Sequence, residues 1–231
     1  MYSSYLDTVD AVRTRADPFK RDPQYMGILE HVSPAFGEEY LALLRSEFGM
    51  TDDKVVGFCT LNDSYGQPVK YEIGDLSVSV SPTSLRYLYH ASRILRHANG
   101  ATKFVEVGGG YGGLFLAITY LSTTPIGEYH IVDLDPVIRL QKLVLTDHPN
   151  VVYHSAPTFG KDVPDDCFFI SNYCFSEISA EYQIEYIRSL ICRCSRGFLA
   201  WNTIRPYPIG RPITTETETP LTFPGNYYVY F

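Results

Sequence analysis

The chain has no apolar run near the roughly 20 residues that span a bilayer. Its best stretch, Gly112 to Leu121, is short and interrupted by Thr119 and Tyr120, so no membrane span is expected. The N-terminus, Met1-Tyr-Ser-Ser-Tyr-Leu-Asp7, lacks a basic patch leading into an apolar stretch and so does not read as a signal peptide. A cytoplasmic location is the expectation. Positive charge is also scarce: 19 Lys+Arg against 26 Asp+Glu leave a formal net charge of -7. That excess argues against a binder of phosphate backbones, and nucleic acid is not expected as a partner. Cysteine is thin too, with Cys59, Cys167, Cys174, Cys192 and Cys194 scattered and no C-x-x-C pair among them. A disulfide framework and a zinc site are thereby disfavoured; the five read as reduced core thiols, and no metal is expected.

What is present is apolar and aromatic. Of 231 residues, 45% are hydrophobic and 14% aromatic, enough to bury a full core and to exclude disorder as the main character of the chain. The texture changes near Asn99-Gly100. Before it, Tyr5, Val9 and Val12, then Tyr40, Leu41, Leu44 and Phe48, carry helical spacing. Val55-Val-Gly-Phe58 and the alternating Leu76-Ser-Val-Ser-Val80 read as strands, predicting a small β element. Ser81, as a cap, and Pro82, at the first helical position, open a helix with Leu85, Leu88, Tyr89 and Leu95 inward, which Asn99-Gly100 ends.

From Lys103 strands and helices alternate. Phe104–Val107, Tyr129–Asp133, Val151–His154, Cys167–Ser171, Phe198–Trp201 and Tyr227–Phe231 read as strands. Helices are expected over Tyr111–Leu121, from Asp135-Pro136 through Val144, and from Ser179 to about Cys194. Such alternation predicts an α/β fold, a Rossmann-like, doubly wound and mostly parallel sheet with helices on both faces. The expected organisation is an N-terminal helical cap with its small β element over 1–100, and a catalytic Rossmann-like domain over 101–231. Thr203 to Asn226 holds Pro206, Pro208, Pro212, Pro220 and Pro224 and is expected to be a loop.

The strongest local signal is Val105-Glu-Val-Gly-Gly-Gly-Tyr-Gly-Gly113, between a strand and a helix. Glycines there let backbone approach a nucleotide-like ligand at the carboxyl ends of the strands. Gly108, Gly110 and Gly113 spell the dinucleotide fingerprint, with Asp133 about twenty residues on as a ribose-binding acid. Two ligands therefore compete, NAD(P) and S-adenosylmethionine. Glu106 weighs toward the second: its carboxylate would repel a pyrophosphate and attract an ammonium and a sulfonium. Asp133-Leu134-Asp135 also spells the D-x-D of metal-dependent glycosyltransferases, although Asp135 reads better as a helix cap before Pro136.

With these residues in view, Phe104 to Gly113 and Asp133 resemble the first motif and second-strand acid of class I S-adenosylmethionine-dependent methyltransferases. Ser81-Pro-Thr-Ser-Leu-Arg-Tyr87, Val132-Asp-Leu-Asp-Pro136 and Ile170-Ser-Asn-Tyr-Cys-Phe-Ser-Glu177 are similar to segments of the sugar O-methyltransferase family. The resemblance covers roughly residues 75 to 180. It implies S-adenosylmethionine as cofactor, methyl transfer to a hydroxyl of a sugar or glycan, and an in-line attack helped by a general base. It places Glu106, Gly108, Gly109, Gly110, Asp133, Leu134, Ser155, Ala156 and Asn172 at the donor, and Arg86, Tyr87 and Tyr111 at the acceptor. Glu177 is the first choice for the base and His154 the second, with Tyr173 beside them and His90 a weaker third. The alternative is an NAD(P)-dependent oxidoreductase acting on a nucleotide sugar; a binding module without turnover is a further class. A homo-oligomer, or a place within a longer glycan-modifying enzyme, is left open.

Overall fold

In the computed structural model, residues 2–204 and 208–231 are described. The expected α/β sheet is present. Seven strands run β1 (Lys103–Val107), β2 (Glu128–Asp133), β3 (Val151–Ser155), β4 (Phe168–Asn172), β5 (Arg196–Trp201), β6 (Thr214–Thr217) and β7 (Tyr227–Tyr230). Their spatial order is β3-β2-β1-β4-β5-β7-β6. The first five pair in parallel, and β7 runs antiparallel to both β5 and β6. Central strands of a parallel sheet are covered on both faces, which explains why Phe104–Val107, Ile131–Val132 and Phe168–Ile170 are buried apolar runs apart from Glu106. The order reverses between β1 and β4, the kind of switch point outside whose carboxyl ends open α/β sheets bind ligands.

The described residues form two compact units that cross the expected cut at residue 100. One combines the chain up to Arg93 with 110–121 and 136–146; the other holds 94–109, 122–135 and 147–231. The first unit is helical: α1 (Tyr2–Ala11), α2 (Pro23–Met26), α3 (Pro34–Phe48), α4 (Asp52–Asn62), most of α5 (Pro82–Ala98), α6 (Gly113–Leu121) and nearly all of α7 (Asp135–Val144). Its starts are chemically marked. Ser33 accepts from the Phe36 N–H ahead of Pro34, and α3 ends at Gly49 in the left-handed region. Ser81 stands immediately before α5, at the expected cap position, and its hydroxyl donates to Glu30, 3.2 Å away.

The predicted small β element is corrected here. Val55–Phe58 lies within α4, where Asp52 and Asp53 occupy the favourable first turn and Val55, Phe58, Cys59 and Asn62 form one buried stripe. Of the second stretch only an isolated antiparallel bridge, Tyr71 to Val80, is formed. This unit also buries a charged cluster. Lys20 Nζ lies 3.8 Å from Glu30 Oε1, 3.2 Å from the Asn62 carbonyl and 4.0 Å from the centre of the Tyr111 ring. Burial pushes the Lys20 amine down and the Glu30 carboxyl up, and their mutual attraction opposes both shifts.

In the second unit, one face of the sheet carries Val105, Val107, Val132, Phe169, Leu199, Trp201 and Val229. These pack with Phe175 of α8 (Cys174–Glu177), Tyr186 of α9 (Ala180–Ser189), and Leu190 and Ile191 beyond it. α9 stops at Ser189, short of the expected Cys194, because Leu190 leaves helical geometry and a 3-10 turn follows. The Thr203–Asn226 loop contains the unpredicted strand β6, exposed throughout, and its positions 205–207 lie outside the described residues. Among the described residues no helix is long and apolar enough to cross a membrane.

Candidate functional site

The turn after β1 owes its shape to Gly108. Its φ is +81°, a region costly for side chains, and a Cβ there would overlap the Cβ and Sγ of Cys174. Backbone therefore lies against backbone-proximal atoms at the switch point, with the Gly108 N–H donating to the Val132 carbonyl at 3.1 Å. Ser171 ties β4 to β1: its hydroxyl donates to the Val107 carbonyl at 2.8 Å and accepts from the Phe175 N–H at 3.0 Å. Gly108→Ala should destabilise the protein by roughly 2–4 kcal/mol in urea unfolding, combining overpacking and strained φ. Adding Cys174→Gly should recover the overlap component and leave the strain.

Two acids stand at this edge. Asp133 ends β2, 9% exposed, in register with Ser155, and accepts from the Leu134 N–H at 2.8 Å. Glu106 sits two residues before Gly108, 2% exposed, and accepts from the Tyr129 hydroxyl at 2.8 Å. Burial pushes the Glu106 carboxyl up to about 8; the Tyr129 hydrogen bond pulls it down and Asp133 adds to the rise. This corrects the sequence argument for choosing between cofactors. A carboxyl raised in this way carries less charge than the sequence argument assumed, so it does not by itself exclude a pyrophosphate. The electrostatic signal lies elsewhere. The described segments that follow the strands, 108–109, 133–135, 155–158, 172–177 and 202–204, contain Asp133, Asp135 and Glu177; Arg205, next in sequence after the last of them, lies outside the described residues.

After β4 the chain turns sharply. Tyr173 has φ +61°, a strained conformation for a tyrosine, and its N–H donates to the Ala200 carbonyl at 2.7 Å. Its hydroxyl donates to Glu218. Glu218 is 2% exposed and also receives the Thr222 N–H at 2.8 Å, the Thr222 hydroxyl at 2.6 Å and the Asn226 amide at 3.1 Å. That crowd of donors suits an acceptor-only carboxylate. Glu177 is exposed and accepts from the Asn202 amide at 2.8 Å.

Several solved structures are similar to this chain. A SAM-dependent methyltransferase from Archaeoglobus fulgidus is 13% identical, with 64% of this chain and 93% of that one covered, at a TM-score of 0.46. The SAM-bound amino pentose methyltransferase from Micromonospora echinaspora is 12% identical over 57% of this chain and 56% of its own, at 0.40. The mitomycin 7-O-methyltransferase is 15% identical over 88% and 59%, at 0.44. No protein-family model and no curated protein sequence matches the chain.

The structure brings Glu106, Gly108, Gly109, Asp133, Leu134, Ser155, Ala156, Asn172, Tyr173 and Glu177 into one unit, on β1 or at the strand ends. Leu134 is 43% exposed, and the Ala156 carbonyl accepts from the Tyr186 hydroxyl at 3.4 Å. His154 shares that unit but points away from Asp133: its Nε2 is 2.9 Å from Nδ1 of His130, whose Nε2 is 3.3 Å from Glu128. Gly110, Arg86, Tyr87, Tyr111 and His90 belong to the helical unit. There the Gly110 carbonyl accepts from Gln141 at 2.8 Å, and Arg86 donates to the Leu29 carbonyl at 3.0 Å. Tyr111 is fully buried, donates to Asn62 at 2.9 Å and meets Tyr87 edge-on; His90 is 1% exposed. Sequence reasoning missed Ser171, Cys174, Asn202 and Glu218. Glu218 carried no signal, because its partner Tyr173 is 45 positions away.

Proposed function

We propose that the chain is an S-adenosylmethionine-dependent O-methyltransferase acting on a hydroxyl of a sugar or glycan. The observation that carries the reading is the placement of two acids, Asp133 at the end of β2 and Glu177 in the turn after β4, in one unit with the glycine turn after β1. Acids there suit a donor bearing an ammonium and a sulfonium better than the phosphates of a dinucleotide or a nucleotide sugar. Asp133 would accept the ribose hydroxyls, and the Gly108-Gly109 turn would bring its backbone to the donor. Leu134, Ser155, Ala156 and Asn172 would line the rest of the donor site. When bound, the donor supplies a methyl group activated by positive sulfur. The sugar acceptor is supported by the family-like segments 81–87, 132–136 and 170–177.

A sugar hydroxyl is a poor nucleophile at neutral pH, and a positioned base is worth roughly 10² to 10⁴ in rate. Glu177 suits that role by its exposure at the turn after β4, and Tyr173 stands beside it with Glu218 behind its hydroxyl. His154, engaged with His130 on the other face, is the weaker choice.

Calorimetric titration of S-adenosylhomocysteine, NAD and NADP, each alone, tests the donor. Micromolar binding of the first, weakened tenfold or more by Asp133→Ala, with neither dinucleotide bound, is the expected result. Binding of a dinucleotide instead overturns the reading. Sugars are then screened for a mass gain of one methyl, and donor binding without any methylated product would leave a binding module.

A further inference from the structure

We propose that Glu218, on the connection between β6 and β7, is a positioning residue for the donor site: through the Tyr173 hydroxyl it holds the turn after β4 that carries Asn172. This rests on the proposed donor and adds to its site a residue from the far end of the chain.

Register fixes where the connection lies. Tyr227, the first residue of β7, stands opposite both Trp201, the last of β5, and Thr217, the last of β6. Residues 218–226 therefore join the two strands at the end of the sheet where β5 finishes. β4 finishes there too, since it is parallel to β5 with Asn172 opposite Ala200. Asp133 and the Gly108-Gly109 turn belong to the same unit and follow strands that run the same way.

The connection is tied to itself. The Glu218 N–H donates to the Asn226 carbonyl and the Asn226 N–H to the Phe223 carbonyl, each at 3.1 Å, and the Tyr228 hydroxyl donates to the Thr219 carbonyl at 2.9 Å. The Glu218 side chain is at the centre. Its Oε2 accepts from the Thr222 N–H, the Thr222 hydroxyl and the Asn226 amide, and its Oε1 accepts from the Tyr173 hydroxyl. A carboxyl group held by three donors on one oxygen does not turn freely, so the other oxygen is a fixed point.

Tyr173 uses that point. A left-handed φ at a tyrosine persists only where its surroundings over-determine it. Two restraints act on its main chain: the N–H donates to Ala200, and the carbonyl accepts from the Ser176 hydroxyl at 2.9 Å. Glu218 restrains the side chain. Asn172 precedes this residue and α8 follows it, so the conformation at 173 decides how the end of β4 meets a ligand. Releasing the phenol lets the strained turn relax, and donor affinity falls by the fraction of molecules that leave the competent shape.

The test is calorimetric titration of S-adenosylhomocysteine into the wild type, Tyr173→Phe, Glu218→Ala and the double variant, with urea unfolding of each. Each single variant should bind roughly tenfold more weakly while still folded, and the double variant no more weakly than the singles. Thr222→Val, which removes one bond to Oε2 and leaves Tyr173 its partner, separates this from a purely structural role: it should lose stability and keep its affinity. Should Glu218→Ala fail to fold, Tyr173→Phe carries the test with hydrogen exchange as a second readout, the peptide over 172–177 exchanging several-fold faster than in the wild type. Undiminished affinity in Tyr173→Phe, losses that add in the double variant, an equal loss in Thr222→Val, or unchanged exchange over 172–177 would each overturn the inference and leave the donor assignment standing. A folded wild type that does not bind S-adenosylhomocysteine would overturn both.

Discussion

Lys20→Met should cost the protein about 3–5 kcal/mol, the usual penalty for removing one partner of a buried ion pair. Methionine preserves most of the volume, so the loss is electrostatic. Glu30, whose side chain is 4% exposed, would keep the Ser81 hydroxyl at 3.2 Å and lose its ammonium neighbour at 3.8 Å. Thermal unfolding should show Tm lowered by roughly 10 °C. Adding Glu30→Gln should restore more than half of the loss, because the uncompensated acid is then gone. A double variant no more stable than the single one would mean that Lys20 acts through its packing on Tyr111 and not through Glu30.

Glu106→Gln should remove a pH effect and leave the variant more stable than the wild type at alkaline pH. Burial raises the folded-state carboxyl to about 8 from its ordinary 4.5, so between those values the folded protein holds a proton that the unfolded chain has released. The stabilisation is fully present below pH 4.5 and is lost as pH rises through about 8. Its full extent is on the order of 5 kcal/mol, since a tenfold difference in proton affinity is worth about 1.4 kcal/mol. Glutamine still accepts from the Tyr129 hydroxyl and does not titrate. Urea unfolding of both proteins across a range of pH should therefore show curves that meet in acid and diverge above about pH 4.5, with the variant the more stable. Parallel curves would mean that Glu106 stays ionised in the fold.

Much of the sheet was legible because its central strands are buried on both faces, and such strands are written as largely apolar runs, Phe104–Val107, Tyr129–Val132 and Phe168–Ile170, interrupted only by Glu106 and His130. Asp133 was legible for a related reason, as the acid that ends such a run. The same rule misled at Val55-Val-Gly-Phe58, since a short apolar run does not reveal its period; the deciding residues were Asp52 and Asp53 before it and Cys59 and Asn62 after it. β6 was not legible because Thr214–Thr217 is exposed and polar and is a strand only by pairing with β7. Nor could spacing foresee that Tyr111 and Arg86 are spent on Asn62 and Leu29, or that Glu218 receives Tyr173. Those relations join positions dozens of residues apart, where local pattern carries no information.

The interleaving of the two compact units bears on how such a protein can be inherited. The helical unit recruits 110–121 and 136–146 from between strands, and they are fastened to it by bonds such as Tyr111 to Asn62 and Arg139 to Asp10. A gene break anywhere near codon 93 would strand two helices from the partners they are built around. The first ninety or so residues are therefore not a self-contained module that recombination can exchange. Change in this architecture comes by substitution in place.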